Sequence, residues 1–385
     1  MIPLRPDTFV LHFTDSVHLS ISFYTMIVQP GTHPSNVFLQ AIEENFMALS
    51  LASEHASFNK ILNQARVASG ERLEFYNIKN IILSGNSAIH KQAEEYLQHM
   101  ESNLRTVVMV TTRPLLPHPT NPDKVIVKSS PLRERSVSYN YALCNNLPYG
   151  DQPSAHSAGT GFFITPEMIA TAAHVLRYPM NSLDTVHFIQ GICIGNENNY
   201  VDGIEVFKSQ VFKPSQNDLL PGQYHWSEFG SDFALVKVKP AFEAAKTTTI
   251  DTVVLPNIEE YNNRFKDNAV GTELYSIGHG LGLPIKVSYE GKIIAAPPTF
   301  PYYDSNLSLV GGSSGSPVFN AETHELWGIY MRGTKKLTLA GEGNCLLVKS
   351  EAGQFIKIDG RQVEGQECQR LEVVWAAMQW MQEQS

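Results

Sequence analysis

The chain has 385 residues, 43% of them hydrophobic and 17% charged, the balance of a folded globular protein rather than a disordered one. Its net charge of −9 argues against a nucleic-acid-binding surface, and no apolar run approaches the ~18–20 residues of a membrane span. The four cysteines (Cys144, Cys193, Cys345, Cys368) are widely spaced with no CxxC, which argues against a metal cage or a disulfide framework.

The apolar start Phe9-Val10-Leu11-His12-Phe13 runs into Asp15 and His18 without a small-residue cleavage site, a poor secretory signal. A cytoplasmic site of synthesis is expected, with export by a signal-independent route left open. Alternation in Val17–Phe23 predicts strand, and Pro30 to Pro34 breaks it. Ser35 is placed to cap a helix carrying Phe38, Ala41, Ile42, Phe46 and Leu49. Further helix is expected over Ser57–Ala68 and Asn86–Leu104, with strands at Ile78–Leu83 and Thr106–Thr112. Prolines concentrate between Pro114 and Pro122. These features predict a small α+β accessory domain over 1–115 and a linker over 116–134. No chemistry-bearing cluster stands out in that domain, and His90 and His99 read as solvated or packing residues.

From about residue 135 the texture changes. Short strand-like runs recur between Gly, Pro and Asn: Gly161–Ile164, Thr185–Ile189, Phe233–Val238, Glu273–Ile277, Lys286–Tyr289, Lys292–Ala295, Pro317–Asn320 and Leu326–Met331. That pattern predicts an all-β barrel or sandwich over 135–385. Leu371, Val374, Trp375, Met378 and Met381 predict an amphipathic helix over Glu367–Gln384.

Three segments carry candidate chemistry. Gly311-Gly312-Ser313-Ser314-Gly315-Ser316-Pro317-Val318-Phe319 combines small residues with hydroxyls. Such a loop can present a serine together with backbone amides, which is what acyl transfer requires, although small residues also make ordinary turns. Upstream, Thr171-Ala172-Ala173-His174 follows a predicted strand and offers a general base, and Asp232 heads Phe233–Val238. An aspartate facing a histidine fixes its tautomer and stabilises the imidazolium.

The order His-Asp-Ser, with TAAHV, SDFALV and GSSGSPVF, resembles the chymotrypsin-like (trypsin-like) serine peptidases, and the worked triad of that family is a standard template. The GGxSGSPVFN form, the hairpin Ile277–Val287 and Gly328–Gly333 are similar to bacterial relatives of the glutamyl-endopeptidase type. The resemblance covers about residues 135–385. It implies a double β-barrel with a C-terminal helix, here preceded by the accessory domain. It also implies a serine endopeptidase that cleaves protein or peptide substrates through an acyl-enzyme, with neither cofactor nor metal. Ser314 is implied as nucleophile, His174 as acid–base and Asp232 as its orienting partner, with the amides of Gly312 and Ser314 as the oxyanion hole. Ser313 stands where the trypsin subgroup has an aspartate that pairs with a newly cut N-terminus, so that activation route is not expected. Ser308, Leu309, Tyr330 and Arg332 correspond to the substrate pocket. They imply an uncharged preferred side chain before the scissile bond, with Arg332 raising an acidic one as a rival. The alternative function is an inactive peptidase-like binding module. Cys345 and Cys368 are equally compatible with a bridge and with two free thiols.

Overall fold

The computed structural model describes residues 6–12, 18–24, 98–134, 142–143, 152–155, 157–177, 183–192, 203–215, 224–226, 231–242, 249–267, 269–307, 309–333, 336–339, 345–349, 356–358, 361–363 and 365–383. The chain divides into two units, residues 1–100 and 101–385. In the first, Pro6–His12 and His18–Tyr24 pair as an antiparallel hairpin, as the alternation around Val17–Phe23 predicts. The other elements expected before residue 97 lie outside the described residues.

The second unit starts earlier than the sequence suggested. Val107–Thr111 (β1) is the fully buried strand expected from its composition, but it pairs with Ser157–Thr165 (β2) and with His187–Gln190 (β4). It therefore belongs with the β-rich part of the chain and not with an accessory domain ending at 115. The proposed linker is also largely ordered. Leu115–Pro117 and Lys124–Val127 form a three-stranded sheet with Ile204–Phe207, and Ser129–Pro131 pairs with Pro153–Ala155. Its prolines lie in short strands and turns between them, positions that need no amide donor to a central ladder.

Six strands close the first barrel. Met168–Thr171 (β3), Val211–Pro214 (β5) and Asp232–Pro240 (β6) join the three above in the order β3-β2-β1-β4-β5-β6, and β6 returns to β3. Its interior holds Val108, Val110, Phe163, Ile169, Phe188, Phe212, Ala234 and Val236. Phe163 and Phe212 meet edge-on with centroids 5.0 Å apart, the T-shaped contact that aromatic quadrupoles favour.

The second barrel comprises Glu273–Gly278 (β7), Lys286–Ala295 (β8), Tyr302–Ser305 (β9), Pro317–Asn320 (β10), Leu326–Gly333 (β11) and Gln366–Arg370 (β12), closed in the order β7-β8-β9-β12-β11-β10. The two short runs expected at Lys286–Tyr289 and Lys292–Ala295 are one continuous strand. Residues 367–370, expected as the start of a helix, instead form with Gln366 the fully buried β12 between β9 and β11. Closure of the barrel requires that strand, so helix begins only at Leu371 and runs to Glu383.

Two further helices matter for the site. Ala173–Arg177 (α1) follows β3. Ile258–Asp267 (α2) was not expected, although Asn257 caps it by accepting the amides of Glu259 and Glu260. It docks on the second barrel through Tyr261, whose hydroxyl donates to the Trp327 carbonyl at 2.9 Å. The C-terminal helix Leu371–Glu383 is α3. Among the described residues no helix is long and apolar enough to cross a membrane.

Phe163→Ala removes one half of the edge-on pair at the centre of the first barrel. It is expected to lower stability by about 3–5 kcal/mol in denaturant titration.

Candidate active site

His174 is the second residue of α1, and the turn is held to β6 by one carboxylate. The His174 amide donates to Asp232 Oδ1 at 3.0 Å, and ring Nδ1 lies 2.7 Å from Oδ2. An ionised carboxylate only accepts, so Nδ1 carries the proton and Nε2 is left as an acceptor. The sequence placed His174 at the end of a strand. In the structure β3 stops at Thr171 and a helical turn lifts the histidine, leaving its side chain one-third exposed while Asp232 is buried. A buried carboxylate under a partly open imidazole is the arrangement that orients a general base and stabilises its cationic form.

Asp232 is in turn fixed from the other barrel. Its amide donates to Gln369 Oε1 at 3.0 Å, and the Gln369 side-chain amide donates to the Pro301 carbonyl. Nothing in the sequence marked Gln369, which lies 137 residues from Asp232 along the chain.

The loop 311–316 is a sequence of tight turns. Gly312 and Gly315 both have left-handed φ, +87° and +85°. At Gly315 a side chain is doubly excluded, since a Cβ there collides with the Thr160 carbonyl. The amides of Ser313, Gly315 and Ser316 donate to the carbonyls of Val310, Tyr330 and Ser313. Among the described residues no backbone carbonyl takes the amides of Gly312 or Ser314. These are the two donors that the resemblance implies for an oxyanion. The Ser314 hydroxyl donates to the Met331 carbonyl at 3.3 Å, a long and therefore weak bond at the edge of β11.

Thr160 on β2 ties this loop to the first barrel. Its amide donates to the Ser314 carbonyl at 2.8 Å, and its hydroxyl donates to the Gly312 carbonyl at 3.0 Å. The same hydroxyl accepts from the His279 amide at 3.0 Å, and the Thr160 carbonyl accepts from Thr171 Oγ1 at 2.6 Å.

The expected pocket residues are brought together only in part. Leu309 and Tyr330 are buried, and Ser308 lies outside the described residues. The Tyr330 hydroxyl donates to Gln366 Oε1 at 2.9 Å, and burial pushes its phenol pKa well up, so it stays a neutral donor. Gln366 is buried, with its side-chain amide lying where a Cβ on Gly333 would sit. Arg332 is half-buried and donates through Nη2 to Glu367 Oε1 at 3.1 Å, and Glu367 is fully buried. The guanidinium charge is thus matched within the protein. Glu367 was missed because the segment from 367 onward reads as helix, and Gln366 just before it carries no local signal. Cys368, on the same strand, is a free and fully buried thiol whose pKa burial raises. Among the described residues no group of three or more His, Cys, Asp or Glu could hold a metal ion.

Residues 159–329 match the family model of the trypsin-like peptidase domain. That stretch contains His174, Asp232 and Ser314 and most of both barrels. No curated protein sequence matches the chain. Among solved structures, the chain is similar to an HtrA-type protease, AlgW with a decapeptide, at 15% identity and a TM-score of 0.40, covering 75% of this chain and 67% of that one. It is also similar to the inactive form of the M. tuberculosis protease Rv3671c, at 12% identity and 0.36, covering 73% and 88%. A third, Deg5, gives 12% and 0.35, with 63% and 86% covered. The hairpin Ile277–Val287 has buried polar side chains bonded to its own backbone. Lys286 is buried and donates to the Pro284 carbonyl at 3.1 Å, and His279 is fully buried with Nδ1 3.0 Å from the Leu283 carbonyl.

Burial pushes the His279 pKa down to about 4, helped by nearby Lys286 and opposed by the bond to Leu283. The unfolded chain titrates this group near ~6.5, so it binds more protons than the folded chain between the two values. The contribution of neutral His279 is therefore complete above that pH and is lost as pH falls from ~6.5 toward 4, on the order of 3 kcal/mol in full. Denaturant titrations should show the wild type losing more stability than His279→Asn between pH 7 and pH 4.5. Gly315→Ala should destabilise by more than the ~1–2 kcal/mol of left-handed backbone alone, because the collision with Thr160 adds to it.

Proposed function

We propose that the chain is a serine endopeptidase that cleaves protein substrates through an acyl-enzyme on Ser314. The observation that carries this reading is the two-point grip of Asp232 on His174, together with a tight loop whose Gly312 and Ser314 amides meet no backbone carbonyl among the described residues. His174 Nε2 takes the Ser314 proton as Oγ bonds to the substrate carbonyl carbon. The negative oxygen formed is stabilised by the amides of Gly312 and Ser314. The tetrahedral species then expels the amine, which leaves with the proton from His174. Water repeats the sequence on the ester and frees Ser314.

For this the Ser314 hydroxyl turns from Met331 toward His174, a change that apo active sites commonly require. The recorded direction of that hydroxyl is the one observation that favours an inactive, peptide-binding module instead. Covalent labelling separates the two. A fluorophosphonate should label the native protein and fail to label Ser314→Ala, whose turnover on casein should fall by at least ~10³-fold. Unlabelled wild type would support the binding module.

The surroundings of Tyr330 support a preference for small uncharged residues before the scissile bond. Gln366 is buried against Tyr330 and Gly333, which limits the room beside them, and Arg332 is neutralised by Glu367, so neither a large nor an acidic side chain is favoured. A glutamate-directed pocket is correspondingly disfavoured. Cleavage profiling on a peptide library should return Ala, Ser, Gly or Val at that position. Dominance of Glu, Arg or Phe would contradict it.

Residues 1–100 are proposed to regulate or target this activity. Since β1 belongs to the barrel, the proper comparison is the full chain against one beginning at Glu101, not one beginning within 116–134. Equal turnover of casein by the two would argue against restraint by the N-terminal unit.

A further inference from the structure

The peptide plane between Gly311 and Gly312 decides whether an amide or a carbonyl faces the reacting atom. In a trans peptide these two groups point in opposite directions. Here the Gly311 carbonyl accepts from the Leu281 amide at 2.7 Å, which aims the Gly312 amide away from Leu281. Leu281 lies in the short turn Gly280–Gly282 between β7 and β8, with φ 57° and ψ 19°. A leucine in left-handed backbone is strained and persists only where its surroundings hold it. One such hold is visible, because the Leu281 carbonyl accepts from the Ser154 hydroxyl at 2.6 Å.

Ser154 belongs to neither barrel. It is the middle residue of Pro153–Ala155, fully buried, and pairs opposite Ser130 in a two-stranded ribbon with Ser129–Pro131. The Leu132 amide donates to the Gln152 carbonyl at 2.9 Å and continues that ribbon. A relay of two hydrogen bonds thus runs from the ribbon through Leu281 to the peptide that carries one oxyanion donor.

We propose that Ser154 is a positioning residue, and that the ribbon 129–131/153–155 acts through Leu281 as an internal clamp that keeps the oxyanion donor at Gly312 correctly aimed. The clamp rests on the peptidase reading above. It accounts for a strained leucine and a buried serine that the nucleophile, base and pocket do not otherwise use. It also gives the chain a way to set its active geometry without a new N-terminus, and any event that shifts the ribbon would change turnover before it changed substrate binding.

The test is steady-state hydrolysis of p-nitrophenyl acetate by the full chain, together with the affinity of phenylboronic acid, whose tetrahedral adduct uses the same two amides. Loss of a whole oxyanion donor costs about 10²–10³ in kcat, and misaiming one through a relay is a smaller perturbation. Ser154→Ala should lower kcat about tenfold with KM within about twofold, and weaken the boronate by a similar factor. Ser154→Cys, which retains bulk and a weak donor, should fall between Ala and wild type, and carries the comparison alone if the alanine variant does not fold. The clamp is overturned if the wild type is active and both variants match it. It is equally overturned if they lose thermal stability while kcat and boronate affinity hold. A wild type that neither hydrolyses the ester nor reacts with a fluorophosphonate overturns the peptidase reading first, and the clamp with it.

Discussion

Everything at the centre of this molecule depends on Thr160. It stands on the first barrel but spends its amide and its hydroxyl on the carbonyls of Ser314 and Gly312 in the second. Those are the two residues whose own amides meet no backbone carbonyl among the described residues. Fixing a peptide's carbonyl on one side fixes its neighbour's amide on the other, so Thr160 orients the peptides that follow Gly312 and Ser314 and stiffens the loop, while the Gly312 amide itself is aimed by the bond between the Gly311 carbonyl and Leu281. Such bonds contribute only about 0.5–1.5 kcal/mol each to folding, but in a buried setting the cost of leaving any one unmade is larger. The loop therefore holds one geometry as long as the barrels stay together.

The remaining contacts across the barrel interface serve the same end. Asp232, on the first barrel, is held by Gln369 of β12, so the strand that closes the second barrel also stabilises the carboxylate under His174. The Ile285 amide reaches back to the Ile192 carbonyl, and Val253 donates to Phe163. The groups proposed to react are thus divided between two barrels whose junction is bridged by hydrogen bonds. Preorganisation of this kind is where most electrostatic catalysis comes from, because the donors need not move when charge develops.

Much of this was legible in the sequence, for identifiable reasons. A strained, glycine-rich nucleophile loop, a histidine after three small residues and an aspartate heading a buried strand each leave a local signature. The order of the three did the rest. The domain boundary was misjudged because a buried strand such as Val107–Thr111 has the same composition whichever sheet it joins, and its partners are far along the chain. The prolines of 114–122 read as linker because proline disfavours ladders, yet short edge strands tolerate it. Residues 367–370 read as helix because the apolar spacing from Leu371 onward does not mark where the helix starts, and nothing local announces that a barrel needs one more strand. Gln366, Gln369 and Ser154 left no trace at all. Each acts by a side-chain contact with a distant element, the kind of information that only the fold supplies.

The account stands on Ser314 forming a covalent acyl intermediate within this two-barrel frame. The most direct measurement is intact-protein and peptide mass spectrometry after acid quenching during turnover of an activated ester. The account predicts a single acyl adduct, located on Ser314 and absent from His174→Ala. No adduct on an active enzyme, or an adduct on another residue, would contradict it.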